Sequence, residues 1–537
     1  MATAVLLGDE AVALAAVHAG VSGAYAYPGT PATEIMEFLR HEADRRGDFH
    51  AGWSANEKTA FEQALGVAFV GRRAFVCMKH VGLNVAADPF MNAALVSPHG
   101  GIVVAVADDP GMHSSQNEQD TRCYADFARV PLLEPATQQE AYDMTREAFD
   151  LSERFGVPVV VRLVTRLAHA RSIVQLGEQR PQNGLAKPPS PTSWVLLPSN
   201  ARRQWRELLD KQTPLRAYTA GARWNRLQPG TPGTRLGLIT TGIARNYYLE
   251  NLDELPERPR HLHIGAYPVP TGLVAALVRE VDRVLVLEDG YPFVERQLRG
   301  LVPPDGLVVA GRESGELPPD GELTPDLVRV ALGLPMAPGV VLDEAPLPNR
   351  PPQLCQGCPH GDTYAALKIA MASFEHTAVT SDIGCYTLGA LPPYSAIESC
   401  VCMGASVGMA KGAADAGYRP AVAVIGDSTF LHSGVTPLMD AVAANTDMTL
   451  VILDNETVGM TGGQPTLLPS SRLQDVVLGV GVDPDHVHVL DAHPRKTDAN
   501  ATVLKAEMAH PGLSVVILVR ECIETARARK QGQTVQG

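Results

Sequence analysis

Aromatic side chains, long apolar runs and basic residues near the N-terminus are scarce in this sequence of 537 residues. Aromatic residues make up 5% of the chain, and no apolar run reaches the ~18 residues that a membrane-spanning helix requires. The N-terminal twenty residues hold no Lys or Arg, and Asp9 and Glu10 interrupt their apolar pattern, which excludes a typical signal peptide. We predict a turn followed by a first helix at this end, and a cytoplasmic protein without a membrane partner.

Cysteine and positive charge are also limited. Eight cysteines in a chain of this length are too few for a disulfide-based fold. Acidic residues outnumber basic ones by 59 to 45, and the net charge of −14 argues against nucleic acid or an anionic membrane as a partner. The apolar content of 45% is that of an ordinary globular chain. At about 150 residues per domain, we expect three or four domains.

Short apolar runs alternate with helical stretches along most of the chain. Runs such as GIVVAVAD (101–108) and VPVVVRLV (157–164) are apolar on both faces, as in parallel strands that helices cover. Proline-rich segments at 180–193 and 345–353 mark breaks between such regions. We predict three α/β domains with doubly wound parallel sheets and a linker with one short helix (200–211), at 1–178, 179–234 (the linker), 235–345 and 346–537.

Two apolar strands in the last domain end in oxygen-bearing side chains. The run AVAVIGDS (421–428) leads to Asp427, and the run TLVILDNET (449–457) leads to Asn455. The 28 positions between these residues suit one strand end, a crossover helix and the next parallel strand. Oxygen ligands at neighbouring strand ends suit Mg²⁺, which usually binds together with the phosphates of a substrate or cofactor.

This pattern resembles the magnesium–diphosphate motif of thiamine diphosphate enzymes. The resemblance makes Asp427, Asn455 and the main-chain carbonyl of Thr457 the Mg²⁺ ligands. It also puts Gly426 and Ser428 beside the coenzyme, with Ser428 where many members have glycine. A strand that ends in Gly-Asp is common in α/β proteins, so the rest of the chain must support this interpretation.

Further segments resemble one family along nearly the whole chain. They include YPGTPATEI (27–35), WSANEK (53–58), KHVGLNVAADP (79–89), LCQGCPHGDTYAALK (354–368) and SDIGCYTLGALPP (381–393). Together and in this order they resemble the alpha subunit of indolepyruvate ferredoxin oxidoreductase, a thiamine diphosphate-dependent 2-oxo acid:acceptor oxidoreductase. The resemblance implies sheet domains of the transketolase-like type.

The resemblance assigns roles in the N-terminal domain. Thiamine diphosphate chemistry requires a carboxylate at the pyrimidine end of the coenzyme for proton transfer, and Glu57 matches it. The alternative is that Glu57 only complements a helix dipole. Thr30 would lie near the pyrimidine and the substrate. Lys79 and His80 follow a strand, where open α/β sheets bind ligands. Lys79 would hold the substrate carboxylate and His80 would relay protons, or both are structural.

The cysteine positions suggest a metal centre. Related 2-oxo acid oxidoreductases carry a cluster near the coenzyme with a C-x-x-C pair, a Gly-Cys dipeptide and a later cysteine. By this resemblance we propose a [4Fe–4S] cluster bound by Cys355, Cys358, Cys385 and Cys522. Structural zinc or simply buried thiols are alternatives, and Cys400 and Cys402 complicate the assignment.

The resemblance also implies a reaction and partners. We expect oxidative decarboxylation of an aryl 2-oxo acid to an acyl-CoA, with coenzyme A as co-substrate and ferredoxin or another protein as electron acceptor. A smaller beta subunit should complete a heterotetramer. The ferredoxin-type cysteine runs typical of the family do not follow Cys522, so we expect a partner chain to carry the electrons onward. A non-oxidative thiamine-dependent decarboxylase and a coenzyme-free scaffold are the alternatives.

Overall fold

The computed structural model of the chain describes residues 2–188, 190–300, 306–336, 339 and 352–531. It divides into two compact units, Met1–Val341 and Leu342–Gly537. Both units consist of helices packed on mostly parallel sheets, which confirms the predicted α/β class. The predicted boundary between residues 345 and 346 lies outside the described residues.

The first unit has fourteen strands and fourteen α-helices among its described residues. The strands are β1 (Thr3–Leu7), β2 (Gly23–Ala26), β3 (His50–Trp53), β4 (Ala74–Lys79), β5 (Ile102–Asp108), β6 (Leu132–Leu133), β7 (Val159–Val164), β8 (Arg171–Gln175), β9 (Arg226–Gln228), β10 (Leu236–Thr241), β11 (Arg260–Ile264), β12 (Ala266–Tyr267), β13 (Arg283–Leu287) and β14 (Val308–Ala310). The helices are α1 (Gly8–His18), α2 (Thr33–Arg46), α3 (Glu57–Phe69), α4 (His80–Val85), α5 (Ala87–Ala93), α6 (Thr121–Ala128), α7 (Gln138–Phe155), α8 (Thr165–Ala168), α9 (Pro198–Asp210), α10 (Gln212–Gly221), α11 (Ala244–Asn251), α12 (Thr271–Val278), α13 (Phe293–Arg299) and α14 (Pro325–Ala331).

The larger sheet of this unit has the strand order β12-β6-β7-β5-β4-β2-β3. All neighbours run parallel except β12, which pairs antiparallel with β6 at one edge. Every residue of the central strand β5 is buried, as expected for an apolar strand that helices cover on both faces. This order brings the carboxyl ends of β2, β4, β5 and β7 to one edge of the sheet.

The N-terminus forms a strand where the sequence suggested a turn. β1 pairs antiparallel with β8, from Thr3 opposite Gln175 to Leu7 opposite Arg171. The prediction of a turn was wrong because β1 depends on a partner far along the chain, which a local pattern does not reveal. The predicted first helix follows directly as α1.

A second sheet in the same unit has the order β14-β13-β10-β11-β9. The segment predicted as a linker contains more structure than one short helix. It forms α9 and α10, which bury Leu208 and Leu215, and then β9, which pairs antiparallel with β11. Packing against other parts of the unit therefore orders a segment whose proline-rich composition suggested a spacer.

Buried ion pairs connect the two sheets of the first unit. Arg162 on β7 binds Asp108 at 2.6 Å, and Arg122 on α6 binds Asp120 and, at 2.8 Å, Glu288 after β13. All these side chains are nearly or fully buried, and buried charges persist only when they are paired and hydrogen-bonded. We infer a structural role for this group.

The second unit has seven strands and seven α-helices among its described residues. The strands are β15 (Ala378–Ser381), β16 (Ala421–Gly426), β17 (Met448–Asp454), β18 (Thr457–Val458), β19 (Gln464–Pro465), β20 (Val487–Asp491) and β21 (Leu513–Val519). The helices are α15 (Pro359–Met371), α16 (Ala405–Asp415), α17 (Asp427–Thr429), α18 (Val435–Ala443), α19 (Ser470–Gly479), α20 (Thr497–Met508) and α21 (Ile523–Lys530).

The main sheet of the second unit is fully parallel, in the order β15-β16-β17-β21-β20. Its central strands β16 and β17 are buried along their whole length, and they match the two apolar runs seen in the sequence. The loops after β15, β16, β17 and β21 therefore meet at one edge. In the described parts of both units, no helix is long and apolar enough to cross a bilayer.

Candidate functional site

The candidate residues of the first unit lie at the carboxyl edge of its larger sheet. Thr30 follows β2, Lys79 ends β4, and His80 begins α4. Glu57 begins α3 shortly after β3. Ligands of open α/β sheets bind at this edge, so the topology gives these residues a common location.

Glu57 is nearly buried in the first turn of α3. Asn56 caps this helix, because its side chain accepts a hydrogen bond from the Thr59 amide at 2.8 Å. Gly82 on α4 leaves room for the carboxylate, since a Cβ atom there would lie 2.7 Å from both Cγ and Oε1 of Glu57. A side chain at residue 82 would therefore displace Glu57.

Lys79, Thr30 and Ser114 meet at the end of β4. Lys79 Nζ donates a hydrogen bond to the Ser114 carbonyl at 3.3 Å, and Ser114 Oγ donates to the Thr30 carbonyl at 3.4 Å. Gly29 allows this loop to approach the lysine, because a Cβ atom there would lie 3.2 Å from Lys79 Cγ and Cδ. The structure thus brings together two of the predicted residues and a serine from the loop after β5.

Asp109 is a buried carboxylate beside this group that the sequence did not single out. It accepts hydrogen bonds from the Ser114 amide and the Ser115 hydroxyl, both at 2.8 Å. Burial acts to raise the pKa of Asp109, but its hydrogen bonds prevail and lower that pKa. Burial also lowers the pKa of Lys79, against the attraction of Asp109 and then Glu57. The lysine and both carboxylates therefore form one electrostatic group.

His80 is buried and has one ring nitrogen available. Its Nε2 lies 3.0 Å from the Asn117 carbonyl, while its Nδ1 is buried without a hydrogen-bond partner. A carbonyl only accepts hydrogen bonds, so we assign the proton to Nε2 and leave Nδ1 as a proton acceptor. This arrangement suits a histidine that relays protons.

The loops after β16 and β17 form an oxygen-rich cage in the second unit. Asp427 accepts hydrogen bonds from the Ser428 amide at 2.7 Å and from the Glu456 amide at 2.9 Å. Asn455 Oδ1 accepts one from the Thr457 amide at 3.3 Å. The left-handed backbone of Glu456, with φ of 63°, turns this loop toward Asp427. The predicted ligand residues thus lie together.

A second carboxylate completes the cage and fits a cation. Asp454 is buried, and its Oδ2 has no hydrogen-bond partner. Burial, followed by the charge of Asp454, raises the pKa of Asp427 well above its ordinary value. The buried Ser428 hydroxyl also lacks a partner. Paired buried carboxylates with unsatisfied oxygen atoms are a donor set that a hard divalent ion such as Mg²⁺ satisfies.

The four candidate cysteines form one group in the second unit. Cys385 follows β15, and Cys522 follows β21. Burial raises the pKa of Cys358 to about 11 and the pKa of Cys385 to about 12. Neighbouring thiols, including those of Cys355 and Cys522, contribute to both shifts in the same direction as burial. Four residues that are distant in sequence are therefore electrostatic neighbours.

The other two cysteines of this unit, Cys400 and Cys402, are exposed. Burial raises the pKa of Cys400, and Asp382 and then Cys402 act in the same direction.

The cysteine group and the oxygen cage share one loop. The Cys522 amide donates to the Asn455 carbonyl at 3.0 Å, and Asn455 Nδ2 lies 3.2 Å from His360 Nε2. A Cβ atom at Gly459 would lie 3.1 Å from Cys385 Sγ and 3.9 Å from Asn455 Nδ2. The loop from Asn455 to Gly459 therefore contacts both sites.

Sequence relatives match almost the whole chain. It is 39% identical to the indolepyruvate oxidoreductase subunit IorA of Archaeoglobus fulgidus, over 98% of this chain and 88% of that protein. It is also 39% identical to the subunit of the same name from Methanothermobacter thermautotrophicus, over 97% of this chain and 87% of that protein. The chain belongs to the indolepyruvate oxidoreductase IorA family. This membership confirms the resemblance seen in the motifs.

Two domain families match this IorA-family chain. Residues 14–212 match the family described as pyruvate flavodoxin/ferredoxin oxidoreductase, thiamine diphosphate-binding, and residues 382–518 match the C-terminal TPP-binding domain of thiamine pyrophosphate enzymes. A solved 2-oxoglutarate:ferredoxin oxidoreductase from Magnetococcus marinus has a TM-score of 0.50 and 15% identity, over 62% of this chain and 65% of that chain. At this low sequence identity, the likeness shows a similar fold only.

Sequence reasoning assigned no role to Asp109, Asp454 and His360 in this IorA-family chain. Asp109 and Asp454 each stand beside a strand end, a position that could have identified them. His360 follows the C-x-x-C pair, but its contact with Asn455 joins residues 95 positions apart. Only the fold reveals that contact.

Proposed function

We propose that this chain is the catalytic alpha subunit of an enzyme that oxidatively decarboxylates an aryl 2-oxo acid. The acyl group is transferred to coenzyme A, and the electrons pass through a [4Fe–4S] cluster to a beta subunit and an acceptor such as ferredoxin. The two subunits assemble as a heterotetramer. The observation that carries this proposal is the loop from Asn455 to Gly459, which contacts both the oxygen cage and the cysteine group.

Asp427, Asn455 and the Thr457 carbonyl would hold Mg²⁺ and, through it, the diphosphate of the coenzyme. When bound, thiamine diphosphate supplies the carbon nucleophile and the electron sink for decarboxylation. The hydrogen bonds from the Ser428 and Glu456 amides fix the Asp427 carboxylate in place. Preorganised ligands reduce the cost of ordering the site when the cation binds.

Residues of the first unit would handle protons and the substrate. Glu57 would hydrogen-bond the pyrimidine ring and promote proton transfer there. Lys79, a partly desolvated cation near the Thr30 loop, would bind the substrate carboxylate. His80 would accept a proton at Nδ1. Burial lowers the pKa of Lys79, and the charges of Asp109 and Glu57 oppose that shift.

The four cysteine sulfurs would suit either a [4Fe–4S] cluster or a structural zinc ion, and these two centres require different sulfur spacings. Tetrahedral zinc with bonds of about 2.3 Å would bring its sulfurs to about 3.8 Å. A cubane cluster separates the sulfurs further, because each one binds a different iron atom.

We predict about four iron and four acid-labile sulfide per chain after anaerobic purification. Cys385→Ser is expected to lower the iron content and the visible absorbance, because it removes one ligand. Cys123→Ser, an exposed cysteine of the first unit, is the matched control and should keep both. Stoichiometric zinc without iron in the anaerobic protein would exclude the cluster.

Anaerobic co-expression with the beta subunit tests the function as a whole. Indolepyruvate or phenylpyruvate together with coenzyme A should reduce a viologen dye and yield the aryl-acetyl-CoA. Product analysis separates the alternatives. Release of the aldehyde without dye reduction identifies a non-oxidative decarboxylase, and the absence of thiamine diphosphate binding identifies a scaffold.

A further inference from the structure

Three further side chains with metal-binding atoms converge in the first unit. Asp9 lies in the first turn of α1, Glu34 lies in the first turn of α2, and His169 follows α8. One ligand atom from each lies within 4.8 Å of the other two. Glu34 Oε1 and His169 Nε2 are 3.5 Å apart.

Close backbone packing creates this arrangement. A Cβ atom at Gly8 would lie 2.2 Å from the Leu167 carbonyl oxygen, so only glycine lets the start of α1 approach α8 this closely. Asp9 follows Gly8, and His169 comes two residues after Leu167. The contact therefore brings Asp9 to His169.

Asp9 is the least satisfied member of the group. Its side chain is fully buried, and neither carboxylate oxygen has a hydrogen-bond partner. Glu34 Oε2 is also buried without a partner. Burial and then the charge of Glu34 raise the pKa of Asp9 well above its ordinary value. Buried polar atoms rarely lack partners, so these oxygen atoms point to a ligand.

We propose that Asp9, Glu34 and His169 bind a divalent first-row transition-metal ion, such as Mn²⁺ or Zn²⁺. Two carboxylates neutralise the charge of such an ion, and the neutral imidazole adds a nitrogen ligand. Mg²⁺ and Ca²⁺ prefer oxygen ligands alone, whereas imidazole together with carboxylates suits transition metals. Glu34 and His169 are each 37% exposed in their side chains, which gives the ion a route of entry and leaves positions for water.

The bound ion would fix the start of α2, and with it the loop that carries Thr30. Thr33, next to Glu34, accepts a hydrogen bond from the Gly29 amide at 3.0 Å. Cation binding would therefore raise the thermal stability of the chain. This inference does not depend on the proposed reaction, because the ligands and the readouts below are separate from it.

Mn²⁺ is the probe, since thiolates bind it weakly. The full chain is treated with a chelator, saturated with Mg²⁺ and thiamine diphosphate, and titrated with Mn²⁺ under anaerobic conditions. Electron paramagnetic resonance should count one Mn²⁺ per chain, and its pulsed form should detect nitrogen coupling from a histidine. The melting temperature should rise with Mn²⁺.

His169→Gln should abolish the nitrogen coupling and weaken Mn²⁺ binding more than tenfold. This half-exposed position tolerates substitution, and His41→Gln, at an exposed histidine on α2, is the matched control that keeps both signals. Asp9→Asn should remove the Mn²⁺-dependent rise in melting temperature. Unchanged nitrogen coupling in His169→Gln, or a wild-type chain whose melting temperature does not change with Mn²⁺, would overturn the proposal.

Discussion

Glu57→Gln is expected to bind thiamine diphosphate as the wild type does, but to lose turnover by about 10²–10⁴-fold, the usual contribution of a positioned acid or base. Glutamine has nearly the same size, so the packing against Gly82 should survive. It offers no carboxyl group to the pyrimidine ring. Calorimetry with Mg²⁺ and thiamine diphosphate measures binding, and the anaerobic dye assay measures turnover.

Glu62→Gln is the matched control for Glu57→Gln. Glu62 lies on the same helix, α3, but it is exposed and pairs with Lys58 at the surface. We expect nearly wild-type binding and turnover from this variant, because surface ion pairs of this kind contribute little to stability. If Glu57→Gln retained turnover, the residue would only complement the helix dipole.

Asp427→Ala is expected to weaken the binding of Mg²⁺ and thiamine diphosphate by more than about 100-fold. This loss is larger than the loss expected when a residue that only orients a metal ligand is replaced. The substitution removes a carboxylate that the Ser428 and Glu456 amides hold in place. Asp440→Ala on α18 exchanges an exposed carboxylate and should leave binding intact. Calorimetry of both variants provides the comparison.

Asp427→Asn should also change the pH dependence of stability in the coenzyme-free chain. Because the folded chain raises the pKa of Asp427, it binds more protons than the unfolded chain between the ordinary and the raised value. Stability is therefore lost as pH rises through this window, and the variant should lack that loss. A variant that is less stable than the wild type near neutral pH, or that binds the coenzyme normally, would contradict the proposed cage.

The fold class and the family follow from local signals in the sequence. Runs such as those at 101–108 and 421–428 become the buried strands β5 and β16, because continuous apolar sequence is compatible with strands covered on both faces. The motifs around Asp427 and Asn455 also indicated the coenzyme class. The turn predicted at the N-terminus was wrong, since β1 requires the distant strand β8.

The sequence by itself determined the α/β architecture, the family and the candidate residues at strand ends, since each depends on short patterns of apolar, glycine and oxygen-bearing residues. The tertiary structure decided which distant residues meet. It brought Asp109 to Lys79 and the cysteines to Asn455, and it joined Asp9 to His169 across 160 positions. Parallel sheets bring loops that are far apart in the chain to one edge. A local sequence pattern does not indicate which of these loops come into contact.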